Sequence, residues 1–215
     1  MANVEYNKIG NLFKFDAKYK QIVGLDETAE FLKNLQWFGT EKIDGTNTRV
    51  YWDGHRISLA GRTDKADIQP LLKEVLELMF LTQEQEYVFE QLWGEKEVIL
   101  YGEGYGPSIQ KEGSLYRNDK CGFILFDVMI NGVYLNREQV EQIAAELGLE
   151  IVPIVFRGTL DEAKAFVAQH QPSTLNPAHE MEGIVLTTVI PLFNNRGKPI
   201  KYKCKYQDMK KGKLI

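Results

Sequence analysis

Two dipeptides constrain the fold of this chain more than any other feature. Asp53-Gly54 lies between the strand-like runs 46–51 and 56–60, and Asn131-Gly132 lies between 123–130 and 133–135. Asp-Gly and Asn-Gly tolerate the positive φ angles of a tight type I′ turn, so each pair folds its flanking runs back as an antiparallel hairpin. Further apolar runs at 98–101, 151–156, 183–190 and 200–206 read as strands. Helical segments fall between them. Residues 68–79 are rich in Leu, Lys and Glu, with Pro70 in the first turn. Residues 137–147 place Val140, Ile143, Ala144 and Leu147 on one face, with Asn136 as N-cap and Gly148 just past the end. Thr159-Leu160-Asp161-Glu162 is a capping box opening a helix that runs to Gln169. Hairpins with interspersed helices specify an α+β fold of antiparallel sheets flanked by helices. With no repeat and no Pro/Gly/Ser linker, residues 1–215 are expected to form a single domain.

Composition excludes several classes of function. Hydrophobic residues at 44% and charged residues at 26% exclude a disordered chain. Two cysteines, Cys121 and Cys204, cannot supply a disulfide framework or a four-thiolate zinc site. His55, His170 and His179 have no metal-ligand spacing and read as structural or exposed. No apolar run reaches the ~18–20 residues that a bilayer demands, and residues 1–5 lack signal-peptide character. A reducing, cytoplasmic setting is therefore expected. The net charge of −4 argues against a general polyanion binder. That average conceals an asymmetry, because residues 196–215 hold eight Lys/Arg and one acid, Asp208. The local charge of +7 reads either as a solvated basic tail or as an anion site on an acidic body.

The chemically richest stretch is Lys42-Ile43-Asp44-Gly45-Thr46-Asn47. Trp37-Phe38 lead into the lysine, Gly45 permits close backbone approach, and a hairpin strand follows. An attacking amine must be neutral, and an ordinary lysine is only ~0.1% free amine at pH 7.4, a handicap of about 4 kcal/mol. Neighbouring cations or a metal ion lessen that handicap, and the cluster Lys201, Lys203, Lys205 is positioned to do so if it folds back beside Lys42.

The hexapeptide resembles the nucleotidyl-acceptor motif of the covalent nucleotidyltransferases, which comprise ATP-dependent DNA ligases, RNA ligases and mRNA capping enzymes. Asn47 stands where DNA ligases and capping enzymes usually carry Arg, and is similar to RNA ligases of the phage and RNA-editing type. Gly61-Arg62-Thr63 resembles the family's ribose-contacting arginine segment. The stretch from Tyr101-Gly102-Glu103-Gly104 to Gly106-Pro107-Ser108-Ile109-Gln110 resembles the motif whose glutamate meets the ribose. Phe126-Asp127-Val128 resembles the segment whose ring stacks on adenine, Glu182-Gly183-Ile184-Val185-Leu186 the metal-proximal glutamate motif, and Lys203-Cys204-Lys205 the two-lysine phosphate motif. The six segments follow the family's order across residues 41–205.

This resemblance implies the adenylation domain of an ATP-dependent RNA ligase. Lys42 attacks the α-phosphate of ATP and expels pyrophosphate. AMP then passes to a 5′-phosphate end, and a 3′-hydroxyl displaces it to seal the strand. Lys42, Lys203 and Lys205 are implied as catalytic, with Glu41, Asn47, Arg62, Glu103, Phe126 and Glu182 joining the two distal lysines as nucleotide ligands. Glu182, with Asp44 or Glu103, is implied to hold Mg²⁺ or Mn²⁺. For Asp44 two readings compete, orienting Lys42 and holding a metal-bound water. Lys201/Lys203 and Lys203/Lys205 both fit the lysine pair, and strand alternation puts all three on one face. Larger relatives append an oligonucleotide-binding barrel or a helical module. Here ten residues follow Lys205, so no C-terminal OB domain is expected, and nucleic-acid grip falls to the site face and to Lys210, Lys211 and Lys213. The implied partners are ATP and nucleic acid with 5′-phosphate and 3′-hydroxyl ends, RNA favoured, together with an end-healing kinase or phosphatase. The competing readings are a DNA nick-sealing enzyme, which Asn47 disfavours, and a non-catalytic RNA-end-binding module, which would be expected to have lost Lys42 or Glu182. If Lys203 stabilises charge at the transferring phosphate, Lys203→Ala lowers adenylate formation ~10²-fold or more; near-normal labelling with α-labelled ATP would refute the assignment.

Overall fold

The computed structural model describes residues 4–18 and 20–215. Residues 1–3, and with them the start of the segment read above for targeting signals, lie outside the described residues. The chain forms two compact units: a mid-chain unit of residues 44–151 joined by residues 4–6, and a flanking unit of residues 7–43 and 152–215.

The flanking unit is built on a five-stranded sheet ordered β1 (Gly10–Asn11), β13 (Lys201–Lys205), β12 (Gly183–Thr188), β4 (Trp37–Glu41), β11 (Ile154–Gly158). β12 runs antiparallel to both β13 and β4, β11 is antiparallel to β4, and β1 is parallel to β13. A small hairpin of β2 (Phe13–Phe15) and β3 (Ile22–Leu25) and three helices, α1 (Glu27–Leu32), α6 (Leu160–Ala168) and α7 (Tyr206–Lys211), complete the unit. Its core gathers Leu12, Trp37, Leu160, Val167, Ile184, Leu186, Tyr202 and Cys204. β13 shows the alternation its sequence dictates, since Tyr202 and Cys204 enter that core and Lys201, Lys203 and Lys205 stay partly exposed. The basic stretch is thus a central strand and a helix rather than a solvated tail. α6 opens with the expected capping box of Thr159 and Glu162.

The mid-chain unit holds a six-stranded sheet ordered β10 (Glu150–Ile151), β8 (Gly122–Ile130), β7 (Val98–Tyr105), β5 (Thr46–Trp52), β6 (Ile57–Ala60), with β9 (Val133–Tyr134) paired to β8. Four helices belong to it: α2 (Pro70–Phe80), α3 (Gln83–Trp93), α4 (Gly113–Tyr116) and α5 (Arg137–Leu147). α2, α3 and α5 pack Leu72, Leu76, Phe80, Phe89, Val140 and Ile143 against Val50, Trp52, Leu100, Phe123 and Leu125 of the sheet. The opposite face carries Ile99, Tyr101, Met129 and Tyr134, with Tyr6, Tyr51 and Phe126 packed on them.

Both hairpins form. Asn131 and Gly132 take φ +48° and +81°, as a type I′ turn requires. The first hairpin differs from the two-residue expectation. Its connection spans 53–56, because the Asp53 carboxylate accepts the backbone N–H groups of His55 and Arg56, both at 2.8 Å, and widens the loop. The run 151–156 divides into β10 and β11 around Val152 and Pro153, and 200–206 ends as a strand at Lys205. α3 was not marked by the sequence pattern, having only Phe89 and Trp93 buried along an otherwise Glu/Gln-rich helix.

The glycine-rich stretch after Tyr101 continues β7 to Tyr105. A Cβ at Gly102 would stand 2.2 Å from the Phe123 ring and 2.9 Å from the Ile124 carbonyl oxygen, and one at Gly104 would stand 2.3 Å from Leu72. These glycines let a ring and a helix side chain lie directly on the strand backbone. Gly102→Ala and Gly104→Ala should each overpack the core by roughly 1–3 kcal/mol, or ~2–4 °C in Tm for every kcal/mol in a chain of this size. Thermal unfolding should rank Gly102→Ala as the worse, since a backbone carbonyl cannot swing aside as the Leu72 side chain can.

Candidate active site

In the flanking unit three strands end together. β4 finishes at Glu41, antiparallel β12 begins at Gly183, and β13 finishes at Lys205, in the registers Ile184↔Glu41 and Gly183↔Lys205. The ladder extends one residue further, as the Lys42 N–H donates to the Gly183 carbonyl at 2.9 Å. Lys42 therefore shares the sheet face of Thr40, Lys203 and Lys205. Strict alternation would turn Glu182 toward the core with Ile184. Gly183 interrupts it with φ +152°, a backbone open to glycine, and a Cβ there would lie 2.2 Å from the Cys204 carbonyl oxygen. Glu182 instead accepts from Lys42 Nζ through Oε2, while its Oε1 lies 3.2 Å from Lys205 Nζ.

Two ammonium groups thus engage one carboxylate, and Lys203 shares their sheet face. Two cations at the ~7 Å spacing of alternate strand residues repel by about 2 kcal/mol at an effective dielectric of ~20. Burial depresses the Lys203 pKa below the ordinary lysine value; Lys205, Lys42 and Lys8 push in the same direction, and Asp208 opposes them. Asp208 is itself held by Asn11 Nδ2 at 2.6 Å. A concentration of positive charge on one sheet face favours a polyanion. The Lys205–Glu182 contact also puts Lys203/Lys205, rather than Lys201/Lys203, beside Lys42.

Glu41 lies on the other side of β4. Its buried carboxylate accepts from Ser173 Oγ at 2.5 Å, from the Thr174 N–H at 2.8 Å and from the Thr174 hydroxyl. It fastens the loop that leads from α6 to Glu182.

The mid-chain unit carries Asp44, Asn47, Arg62, Glu103 and Phe126. The hexapeptide straddles the passage of the chain from one unit to the other, between Ile43 and Asp44. The Asp44 N–H donates to the Tyr116 hydroxyl at 3.2 Å. Gly45 permits the close approach expected of it, since a Cβ there would stand 2.3 Å from the Gly104 carbonyl oxygen and 2.7 Å from Glu103 Cγ. Asn47 and Glu103 are directly opposite on β5 and β7. Asn47 Oδ1 is buried with no hydrogen-bond partner among the described residues, a costly state unless a ligand supplies a donor. Arg62 is exposed on the loop after β6.

A bulge places Phe126. The β7–β8 register steps from Tyr101↔Asp127 to Gly102↔Leu125, leaving Phe126 as the extra residue. Leu125 and Val128 consequently both enter the helix-side core, while the adjacent Phe126 and Asp127 both meet Tyr6. The Tyr6 hydroxyl donates to Asp127, and its ring packs edge-on to Phe126 with centroids 5.0 Å apart. Burial, reinforced by the Asp127 charge, pushes the Tyr6 pKa well up, so this hydroxyl remains a donor. Tyr6, Arg49 and Tyr116 were not singled out in the sequence. Arg49 alone left a signal, a cation amid an otherwise strand-like run.

Among the described residues no three His, Cys, Asp or Glu side chains cluster as a protein-only metal cage, and no helix is long and apolar enough to cross a membrane.

The fold is that of solved RNA ligases. Solved structures of Naegleria gruberi RNA ligase share it: a variant with AMP and Mn superposes at TM-score 0.64 with 20% identity, covering 93% of this chain and 60% of that one. A variant with ATP and Mn gives 0.65 at 20% identity over 93% and 60%, and the protein with PPi gives 0.65 at 20% identity over 97% and 62%. This chain thus spans about three fifths of the length of those ligases. No curated protein matches it in sequence. The RNA ligase family model matches residues 35–203, and the chain belongs to the RNA ligase family.

The charge crowding at Lys203 has a measurable cost. Its depressed pKa means that the unfolded chain binds that proton more tightly, so the penalty is fully present below the folded-state pKa and fades as pH rises toward 10.5. Lys203→Met should raise stability near pH 7 by about 0.5 kcal/mol after solvent screening, ~1–2 °C in Tm. The gain over wild type should shrink in thermal melts as pH rises toward 10.5; a loss of stability at pH 7 would contradict the crowding.

Proposed function

We propose that this chain is the adenylation domain of an ATP-dependent RNA ligase, with residues 1–215 acting as one catalytic domain. The observation that carries the reading is the chain Lys42–Glu182–Lys205 where three neighbouring strands end. In the first step Lys42 Nζ bonds to the α-phosphorus of ATP, the bond to the bridging oxygen breaks, and pyrophosphate leaves. An ammonium that donates to a carboxylate has no lone pair for attack. The Lys42 proton must therefore pass first to solvent water, and Glu182 meanwhile fixes the direction of the side chain. Lys203 and Lys205 neutralise the non-bridging oxygens as charge builds on them.

In the second step a 5′-phosphate oxygen attacks the same phosphorus and the lysine nitrogen leaves. In the third a 3′-hydroxyl oxygen attacks the 5′-phosphorus, its proton passes to solvent, AMP departs and the strand is sealed. Arg62 and Glu103 take the ribose, Phe126 stacks on adenine, and the unpartnered oxygen of Asn47 receives a donor from the bound substrate. Glu41 serves indirectly, through the loop it anchors.

A divalent cation, Mg²⁺ or Mn²⁺, fits the donor set, because such ions need only one or two carboxylates beside phosphate oxygens and water. Glu182 would hold it, with Asp44 as the second carboxylate that the motif offers, and it would supply further charge neutralisation at the phosphates. RNA with 5′-phosphate and 3′-hydroxyl ends is the second substrate, delivered by an end-healing kinase or phosphatase. The setting is a reducing cytoplasm, which suits the buried free thiols of Cys121 and Cys204.

Incubation with α-labelled ATP and Mg²⁺ should leave an acid-labile adenylate on the wild type and none on Lys42→Ala. Label on both, or on neither, would overturn the reading. Adding nicked or single-stranded RNA and DNA should then discharge the label onto RNA 5′-phosphates in preference.

A further inference from the structure

Arg49 occupies an unusual place for an arginine. It lies in the middle of β5, its side chain is fully buried, and the strand would be satisfied by a β-branched residue at that position. A buried guanidinium is costly unless its donors are taken up, so the identity of its acceptors shows what it does. Arg49 is paired across the ladder with Ala60, the last residue of β6, and its head reaches past the strand end into the next loop. Nε donates to the Gly61 carbonyl at 2.8 Å, and Nη2 donates to Asp64 Oδ1 at 2.8 Å. The two anchors bracket Arg62. The loop is closed further by the Ala66 N–H donating to the Thr63 carbonyl at 3.1 Å. It is so compact that a Cβ at Gly61 would stand 2.7 Å from the Ala66 carbonyl oxygen. Arg62 itself is exposed in the middle of this pinned segment.

We infer that Arg49 is a positioning residue whose planar, two-armed head locks the 61–64 loop and so presents Arg62 to the nucleotide, an assignment that rests on the ribose-binding role proposed for Arg62. A loop tied on both sides of its functional cation spares the entropy of ordering that cation when ATP binds. Lysine, a point charge, cannot span both acceptors.

The test is a double-mutant cycle read as KM for ATP, separately from the rate constant of adenylate formation. Arg49→Lys keeps the charge. Asp64→Ala removes one anchor at a side chain that is 60% exposed, and so leaves the core untouched if the Arg49 substitution misfolds. Arg62→Ala should raise KM about 10-fold. Arg49→Lys and Asp64→Ala should each raise KM about 3- to 10-fold with the rate constant at saturation within 2-fold of wild type, and neither should raise it further when Arg62 is already alanine. Equal increases in both backgrounds, or no increase in the wild-type background, would overturn the positioning role while leaving Arg62 as a ligand. An unchanged KM in Arg62→Ala would overturn the ribose assignment and the positioning role with it.

Discussion

The site depends on a crowding of positive charge. Glu182 is set directly against Lys42 and Lys205, with Lys203 on the same face, and each of its oxygens is engaged by a different lysine. Such a cluster forms only because register forces it. Lys42 continues β4, Lys205 ends β13, and β12 lies between them, so the three are neighbours at one end of the sheet whatever their mutual repulsion. The energy that holds the lysines together comes from the other face of β13, where Tyr202 and Cys204 are buried in the core. Hydrophobic packing on one side thus sustains an electrostatic strain on the other.

The mid-chain unit solves a different problem, placing adjacent residues on the same side of a strand. Phe126 and Asp127 would point oppositely in a regular strand, and the bulge in β8 turns both toward Tyr6 without disturbing Leu125 or Val128. Across the ladder, Gly102 and Gly104 yield their side-chain space to Phe123 and Leu72, so the helix layer sits close while Tyr101 and Glu103 project from the opposite face. These glycines are packing devices in the fold. Arg49 and Tyr116 belong to the same scheme: each holds a backbone segment that carries a polar group at its centre.

Local rules made much of this protein legible before folding. Asn131-Gly132 adopted the turn its residue types favour, Asn136 and Thr159 capped the helices they precede, and the two-residue period of β13 placed its lysines on one face. These outcomes depend on backbone torsions and nearest neighbours, which sequence order alone determines. Order also made the six motif segments recognisable as a set.

Other features needed the third dimension, because their causes are far apart along the chain. That Lys205 and not Lys201 meets Glu182 follows from the β12–β13 register, which no local pattern encodes. That Glu41 turns away from Lys42 follows from alternation combined with the Ser173–Thr174 loop 132 residues on. Arg49 gains its meaning only when β6 brings Gly61 and Asp64 to its head, for a guanidinium is read by its acceptors, and those are chosen by the fold.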